Sequence, residues 1–338
     1  MKTIKSFISG LLLLSVIISG CGKSKSETYE YPSGGDDDLS LKDEYPSSIK
    51  VEQFTDDLGA GAKCVGWYAV VDMKAENKPV FRAHHQKPAK TPTQIFAEFN
   101  KDGKRPYIVT NAGYFWDGQS LSVCINESVL KSIANQTANA KGGKTAYPVR
   151  AAFGMHKNGT FEATWVYCPN DGGKKPYSYP SPLDNDEQAG VFMASMPSAN
   201  TPGAALWTPK EGIGGGPMLV KEGKNVAIQY YWKEVLEAGG TGGTARHPRT
   251  AIGATKDGKL IVLVCDGRGK NDSKGFTLKE LADKLISLGA DIAVNLDGGG
   301  SSTFVGADGK VKNLPSDSKK PDEIIERQVP TALVISEK

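Results

Sequence analysis

The chain has no C-x-x-C pair, so nothing in it reads as a zinc knuckle. It also lacks a G-x-x-x-x-G-K-[ST] loop, an H-E-x-x-H helix motif and a G-x-S-x-G elbow, which argues against three common hydrolase classes. Charge of one sign is scarce: Lys plus Arg number 41 against 38 Asp plus Glu. A general polyanion-binding surface is therefore not indicated, and no nucleic-acid partner is expected. Any anionic substrate must be met by a few local groups. Long apolar runs are missing too. Phe7–Ile18 is too short to span a bilayer as a mature helix.

That short run has another use. Lys2 and Lys5 precede it, and Ile18-Ser19-Gly20-Cys21 ends it, as in the apolar core of a signal peptide followed by small residues. The arrangement resembles the bacterial lipobox, which implies cleavage before Cys21 and a lipid on its sulfur. Residues 1–20 are then a lipoprotein signal peptide, and the mature chain is nearly neutral. Residues 21–48 are rich in Lys, Ser, Gly, Asp and Pro and have too few apolar groups to offset ordering entropy. They read as a flexible tether, with Asp36, Asp37 and Asp38 solvated. Residues 49–338 remain as the folded domain, placed in the bacterial cell envelope and membrane-bound through the Cys21 lipid. Of its cysteines, Cys64, Cys124, Cys168 and Cys265, pairing cannot be read from sequence. Cys265, in the apolar run Leu260–Cys265, reads as a buried free thiol.

The domain reads as α+β with β dominant: mixed sheets, hairpins, one well-signed crossover helix and a few short helices. Thr91-Pro92 opens a helix through Phe99. Two hairpins share a script. Arg150–Gly154, Asn158-Gly159 and Phe161–Tyr167 form the first, and Arg249–Gly253, Asp257-Gly258 and Leu260–Cys265 the second. Arg, Ala, Gly, Lys and Gly recur at equal spacing, which implies a diverged internal duplication. Thr277 with Glu280 makes a capping box, and Phe276 with Leu281 a staple, for a helix stopped at Gly289. It lies between strands Leu260–Cys265 and Ile292–Leu296, which a right-handed crossover would make parallel. Gln328–Ile335 ends the chain as a strand.

Glycines and polar groups gather at strand ends. The most telling case is Asn295-Leu296-Asp297-Gly298-Gly299-Gly300-Ser301-Ser302, where an apolar strand delivers a carboxylate, three glycines and two hydroxyls. Such glycines cost conformational entropy, which makes sense if backbone must approach a ligand, and successive free N–H groups can cradle an anion. A plain tight turn is the alternative. Asp266 ends the strand before the crossover helix and Asp297 the strand after it. Paired strands would bring both carboxylates to one sheet edge, as acid and base or as hard-metal ligands. Arg249 and Arg268 are candidates for a planar phosphate clamp, although Arg249 could pair structurally with an acid. His84 and His85, beside Arg82 and Lys87, read as a solvated segment. Tyr230, Tyr231 and Trp232 read as core.

Taken in order, Asn111-Ala112-Gly113-Tyr114-Phe115, Gly214-Gly215-Gly216-Pro217-Met218-Leu219, Pro248–Gly253, Asp266-Gly267-Arg268 and Asn295–Ser302 resemble the phosphodiester glycosidase domain. That domain occurs in the mannose 6-phosphate uncovering enzyme and in many bacterial proteins. The tail Leu314–Asp317 with Arg327–Val329 is similar as well, and the motifs fall within residues 107–335. The resemblance implies an active site drawing on Asn111, Arg249, Asp266, Asp297 and the glycine loops. It implies hydrolysis of a sugar-1-phosphodiester or phosphorylated glycan at its glycosidic bond. The eukaryotic enzyme carries cysteine-rich segments that this chain lacks, so sugar specificity does not transfer. Two alternatives stay open: a non-catalytic glycan-binding lipoprotein, and a metal-dependent phosphodiesterase in which Asp266, Asn295 and Asp297 hold a divalent cation.

Overall fold

The computed structural model describes residues 41–77, 79–134, 136–169, 175–237, 239–320 and 323–338. Cys21 and most of the expected tether lie outside them. No helix among the described residues is long and apolar enough to cross a membrane.

Three sheets share one core. The first runs Ile49–Asp57, Lys63–Asp72, Lys259–Cys265, Arg249–Thr255, Ala290–Asn295, Met218–Lys221, Lys224–Asn225 in spatial order. The second is centred on Phe161–Tyr167, Arg150–Met155 and Glu211–Gly214, and the third on Pro106–Asn111, Val329–Ser336 and Val80–Lys90. Alternate residues of each point inward, so Val71 and Ile252, Phe153 and Ile213, and Phe81 and Leu333 meet in one cluster. Helix Leu278–Ser287 covers the outer face of the first sheet with Leu281, Ala282 and Leu285 against Phe54 and Leu263. Its capping box forms as the sequence requires: Glu280 N–H donates to Thr277 Oγ1 at 3.1 Å, and Thr277 N–H donates to Glu280 Oε2 at 2.9 Å. Helix Pro92–Lys101, capped by Thr91, packs Ile95, Phe96 and Phe99 on the third sheet.

The duplication is visible in register. Arg150 faces Val166 and Arg249 faces Cys265, with the same spacing across each hairpin. A third strand joins each hairpin at matching positions, Gly214 opposite Ala152 and Asn295 opposite Ala251. Beyond the pairing, Gly215 N–H donates to Ala151 O at 2.9 Å and Leu296 N–H to Thr250 O at 2.8 Å, again at matching positions.

Several expectations need correction. Strands Lys259–Cys265 and Ala290–Asn295 run in the same direction but do not pair. Arg249–Thr255 lies between them and is antiparallel to both, and all named strands of the sheets pair antiparallel. His84 and His85 sit in strand Val80–Lys90 rather than a solvated segment, and the His84 ring meets Phe99 edge-on at 5.1 Å. Part of the expected tether packs: Leu41 joins the helix cluster, Tyr45 Oη accepts from Ala307 N–H at 3.1 Å, and Lys312 Nζ reaches Asp43 at 2.7 Å. All four described cysteines are buried free thiols.

Candidate active site

The candidate site lies where strand ends from all three sheets meet. Because Lys259–Cys265 and Ala290–Asn295 run alike, Asp266 and Asp297 leave the first sheet at one edge, where Arg249 enters it. Backbone joins the sheets there. Asp297 N–H donates to Ala112 O at 2.9 Å, and Gly216 N–H to Asn295 O at 2.8 Å. A Cβ on Gly215 would stand 2.2 Å from Asn295 O, so only glycine permits this seam.

Asn111 is buried and its amide is engaged throughout. It donates to Asp297 O at 2.6 Å, while its Oδ1 accepts from Thr250 Oγ1 at 2.8 Å and Thr303 N–H at 3.2 Å. It therefore fixes the backbone that carries Asp297. Asp297 bonds to Ser301 and to the Gly298 N–H, with Arg327 nearby, but burial outweighs these and pushes its carboxyl up to about 6.

The glycine loop is less open than its sequence suggests. Gly299 N–H donates to Pro248 O, Ser301 N–H to Gly298 O and Ser302 N–H to Gly299 O, so most of these donors are engaged within the protein. The glycines are needed for close packing instead. A Cβ on Gly298 would meet Pro248 O at 2.6 Å, and one on Gly300 would meet Asp317 Oδ1 at 1.9 Å. Asp317 holds Arg327 by two bonds, of 2.5 and 2.9 Å, and Arg327 Nη1 reaches Ser301 Oγ at 3.4 Å. Gly299, at φ +63°, faces the Arg268 guanidinium, whose Nη2 would lie 3.2 Å from a Cβ there. Ser302 Oγ and Thr303 Oγ1 are buried without a partner in the described structure.

Arg249 is 2 % exposed. Its guanidinium donates to four carbonyls, of Phe276, Thr241, Gly242 and Ala245, at 2.8–3.1 Å. Among the described residues no carboxylate partners it, and burial lowers its pKa. Arg150, its counterpart in the other hairpin, likewise donates to the carbonyls of Glu234 and Val235. Between the two halves stands Tyr114, whose hydroxyl donates to Gly216 O at 2.7 Å and accepts from Asn295 Nδ2 at 2.8 Å. Phe115 instead packs in the cluster of Ile95, Phe96 and Phe99.

Asp266 is 1 % exposed and its oxygens are occupied. They accept from Asn271 Nδ2 at 2.7 Å, Asn313 Nδ2 at 3.1 Å and Leu314 N–H at 2.8 Å. It thus ties the Arg268 turn to the loop bearing Asp317. Its three protein donors do not suit a metal ligand, and Asn295 presents only a buried, unpartnered Oδ1 to such a site. Among the described residues no group of three or more His, Cys, Asp or Glu is placed to hold a metal ion.

One buried acid had no signal in the sequence. Glu234 is fully buried beneath Gly216 and accepts from Ala151 N–H, Met218 N–H and Trp165 Nε1, each at 2.8 Å. Burial pushes it up to about 7. It follows an aromatic run, which reads as core, and neither spacing nor a glycine marks it.

A model of the phosphodiester glycosidase family matches residues 105–336. Curated relatives include the bovine N-acetylglucosamine-1-phosphodiester alpha-N-acetylglucosaminidase, 42% identical over 69 residues, which are 20% of this chain and 12% of that protein. Another is the SPbeta prophage-derived protein YomE of Bacillus subtilis, 36% identical over 122 residues, 36% of this chain and 16% of that one. Each match thus spans only a small part of the relative. The zebrafish catalytic domain of the same N-acetylglucosaminidase, auto-inhibited by its pro-peptide, superposes with TM-score 0.58 at 21% identity over 88% of this chain and 86% of that one. At that identity the likeness shows the fold. An exported Burkholderia pseudomallei protein gives 0.51 at 16% identity, over 81% and 74% of the two chains.

Proposed function

We propose, for a chain that belongs to the phosphodiester glycosidase family, that it hydrolyses the bond between a sugar carbon and the phosphate of a sugar-1-phosphodiester. The observation that carries this reading is the Asp297 carboxyl, pushed up to about 6 at the sheet edge where Arg249 enters and where the Arg268 guanidinium faces Gly299. A departing phosphomonoester has its second ionisation near pH ~6. A donor of matched acidity transfers a proton to it at little cost. In the proposed step the C1–O bond breaks and its electron pair stays on the phosphate oxygen, which takes the Asp297 proton. Water adds to C1, and its proton returns to the Asp297 carboxylate. Arg268 meets the departing phosphate. Arg249 supplies a buried positive charge that no carboxylate among the described residues cancels, which favours an anion nearby. Asn111 and Asp266 are positioning residues, the first for the Asp297 backbone and the second for the Arg268 turn.

The same proposal places the mature protein in a bacterial envelope, held by a lipid on Cys21, where phosphorylated glycans would be its substrates. The reading is tested by a hydrolysis screen of sugar-1-phosphodiesters with the wild type and Asp297→Asn. Free sugar should accumulate with the wild type and fall by ~10²–10⁴-fold in the variant. A well-folded variant with near-normal turnover would remove Asp297 from the chemistry. Binding of such glycans without turnover by the wild type would make the chain a glycan-binding lipoprotein instead.

A further inference from the structure

At Arg268 lies a groove of about 480 Å³ lined by Ala62, Arg246, Arg268, Gly269 and Lys274. Its charge is one-sided. Arg246 is matched by Glu280, at 2.6 Å, and the nearby Asp272 by Lys63, at 3.5 Å. Lys274 has no ion-pair partner among the described residues, and Arg268 makes a single side-chain bond, to Ser316 Oγ at 3.3 Å. No aromatic residue lines the groove, so it is not built to stack a sugar.

The turn that presents these cations is held firmly. Arg268, Asn271 and Asp272 all adopt positive φ, between +51° and +57°, which costs free energy in non-glycine residues. Asp266 fixes that turn through Asn271, and Ser273 bonds to Asp266 O at 2.8 Å while accepting from Val65 N–H at 3.0 Å. A rigid turn keeps two unmatched cations at the mouth of the groove. Arg268 also faces Gly299, so it borders both the glycine loop and the groove.

We propose that this groove binds a second phosphate on the leaving-group side of the substrate. The preferred substrates are then sugar-1-phosphodiesters whose alcohol carries a further phosphate. This rests on the function proposed above, and the test separates the two. Two esters are made of the sugar 1-phosphate that the screen identifies, one with methanol and one with glycerol 3-phosphate. At low salt the second should have kcat/KM about tenfold higher, the contribution of roughly one charge-assisted hydrogen bond. Lys274→Gln, an exposed change, should abolish that preference and leave the methyl ester unaffected. Equal kcat/KM for the two esters, or a preference that survives Lys274→Gln, would overturn the groove's role. If no sugar phosphodiester is turned over, the function falls and the groove is tested by calorimetry alone. Wild type should bind 1,3-propanediol bisphosphate more tightly than propyl phosphate, and Lys274→Gln should bind them alike. Equal affinities in the wild type would overturn it there too.

Discussion

Asp297 carries opposite demands. Burial disfavours its ionised form, so the folded protein holds the proton up to about pH 6, above the ordinary value of 3.8. The unfolded chain releases it earlier. Stability contributed by this group therefore falls as pH rises from about 4 through 6, and the loss is complete above that range. Asp297→Asn removes the ionisation. Its melting temperature should exceed that of the wild type at pH 7–8, with the gap closing toward pH 5, while activity falls. Calorimetry across that pH range checks this, and a variant that melts lower at every pH would contradict it. As the proton donor, Asp297 should also give a kcat/KM limb that declines as pH rises through about 6. A limb rising there would make it a base or nucleophile. Asp297 could be picked from the sequence because a buried strand runs straight into it. The constraint on Asp266 could not, since its partners Asn313 and Leu314 are 47 and 48 residues away. Asp266→Ala should leave the buried Asn313 amide without its acceptor and release the Asn271 and Leu314 donors, destabilising the fold by ~1–3 kcal/mol, as urea unfolding would measure.

At the level of elements, local chemistry was readable and long-range pairing was not. Thr91 and Thr277 cap their helices because capping depends on four consecutive residues. The two hairpins announce themselves by Asn158-Gly159 and Asp257-Gly258, and their shared register confirms the repeated arginines as matching positions. Strand Val80–Lys90 is not legible in the sequence, because its charged and histidine residues hide an alternation that only the partner strand Val329–Ser336 makes plain. In the glycine loop the sequence shows the turn but not what surrounds it. Its glycines answer to Pro248, Asp317 and Arg327, which local sequence cannot reveal. Gly215→Ala is the sharpest test of the seam between the halves. With 2.2 Å to Asn295 O the backbones must part, at a cost of about 2 kcal/mol or more, and amide exchange should quicken in both Gly216 and Leu296. Unchanged protection at both amides would show that the seam does not depend on this close approach.

At the scale of the whole molecule, the candidate site stands where two matching halves and a third sheet converge, and each half contributes a strand end to it. Composition cannot show that Leu41, Asp43 and Tyr45 have partners around Gly306–Lys312. Removing residues 22–40 should leave the melting temperature unchanged, whereas removal through Ser48 should lower it by several degrees. Equal melting temperatures for the two deletions would show that these contacts contribute nothing. Replacing Cys21 by Ser should abolish fatty-acid labelling, and labelling that persists would end the anchoring proposal. The central claim is that the bond broken lies between the sugar carbon and oxygen. Hydrolysis in ¹⁸O-labelled water decides it: the label should appear in the released sugar, and label in the phosphate would mean attack at phosphorus and contradict the account.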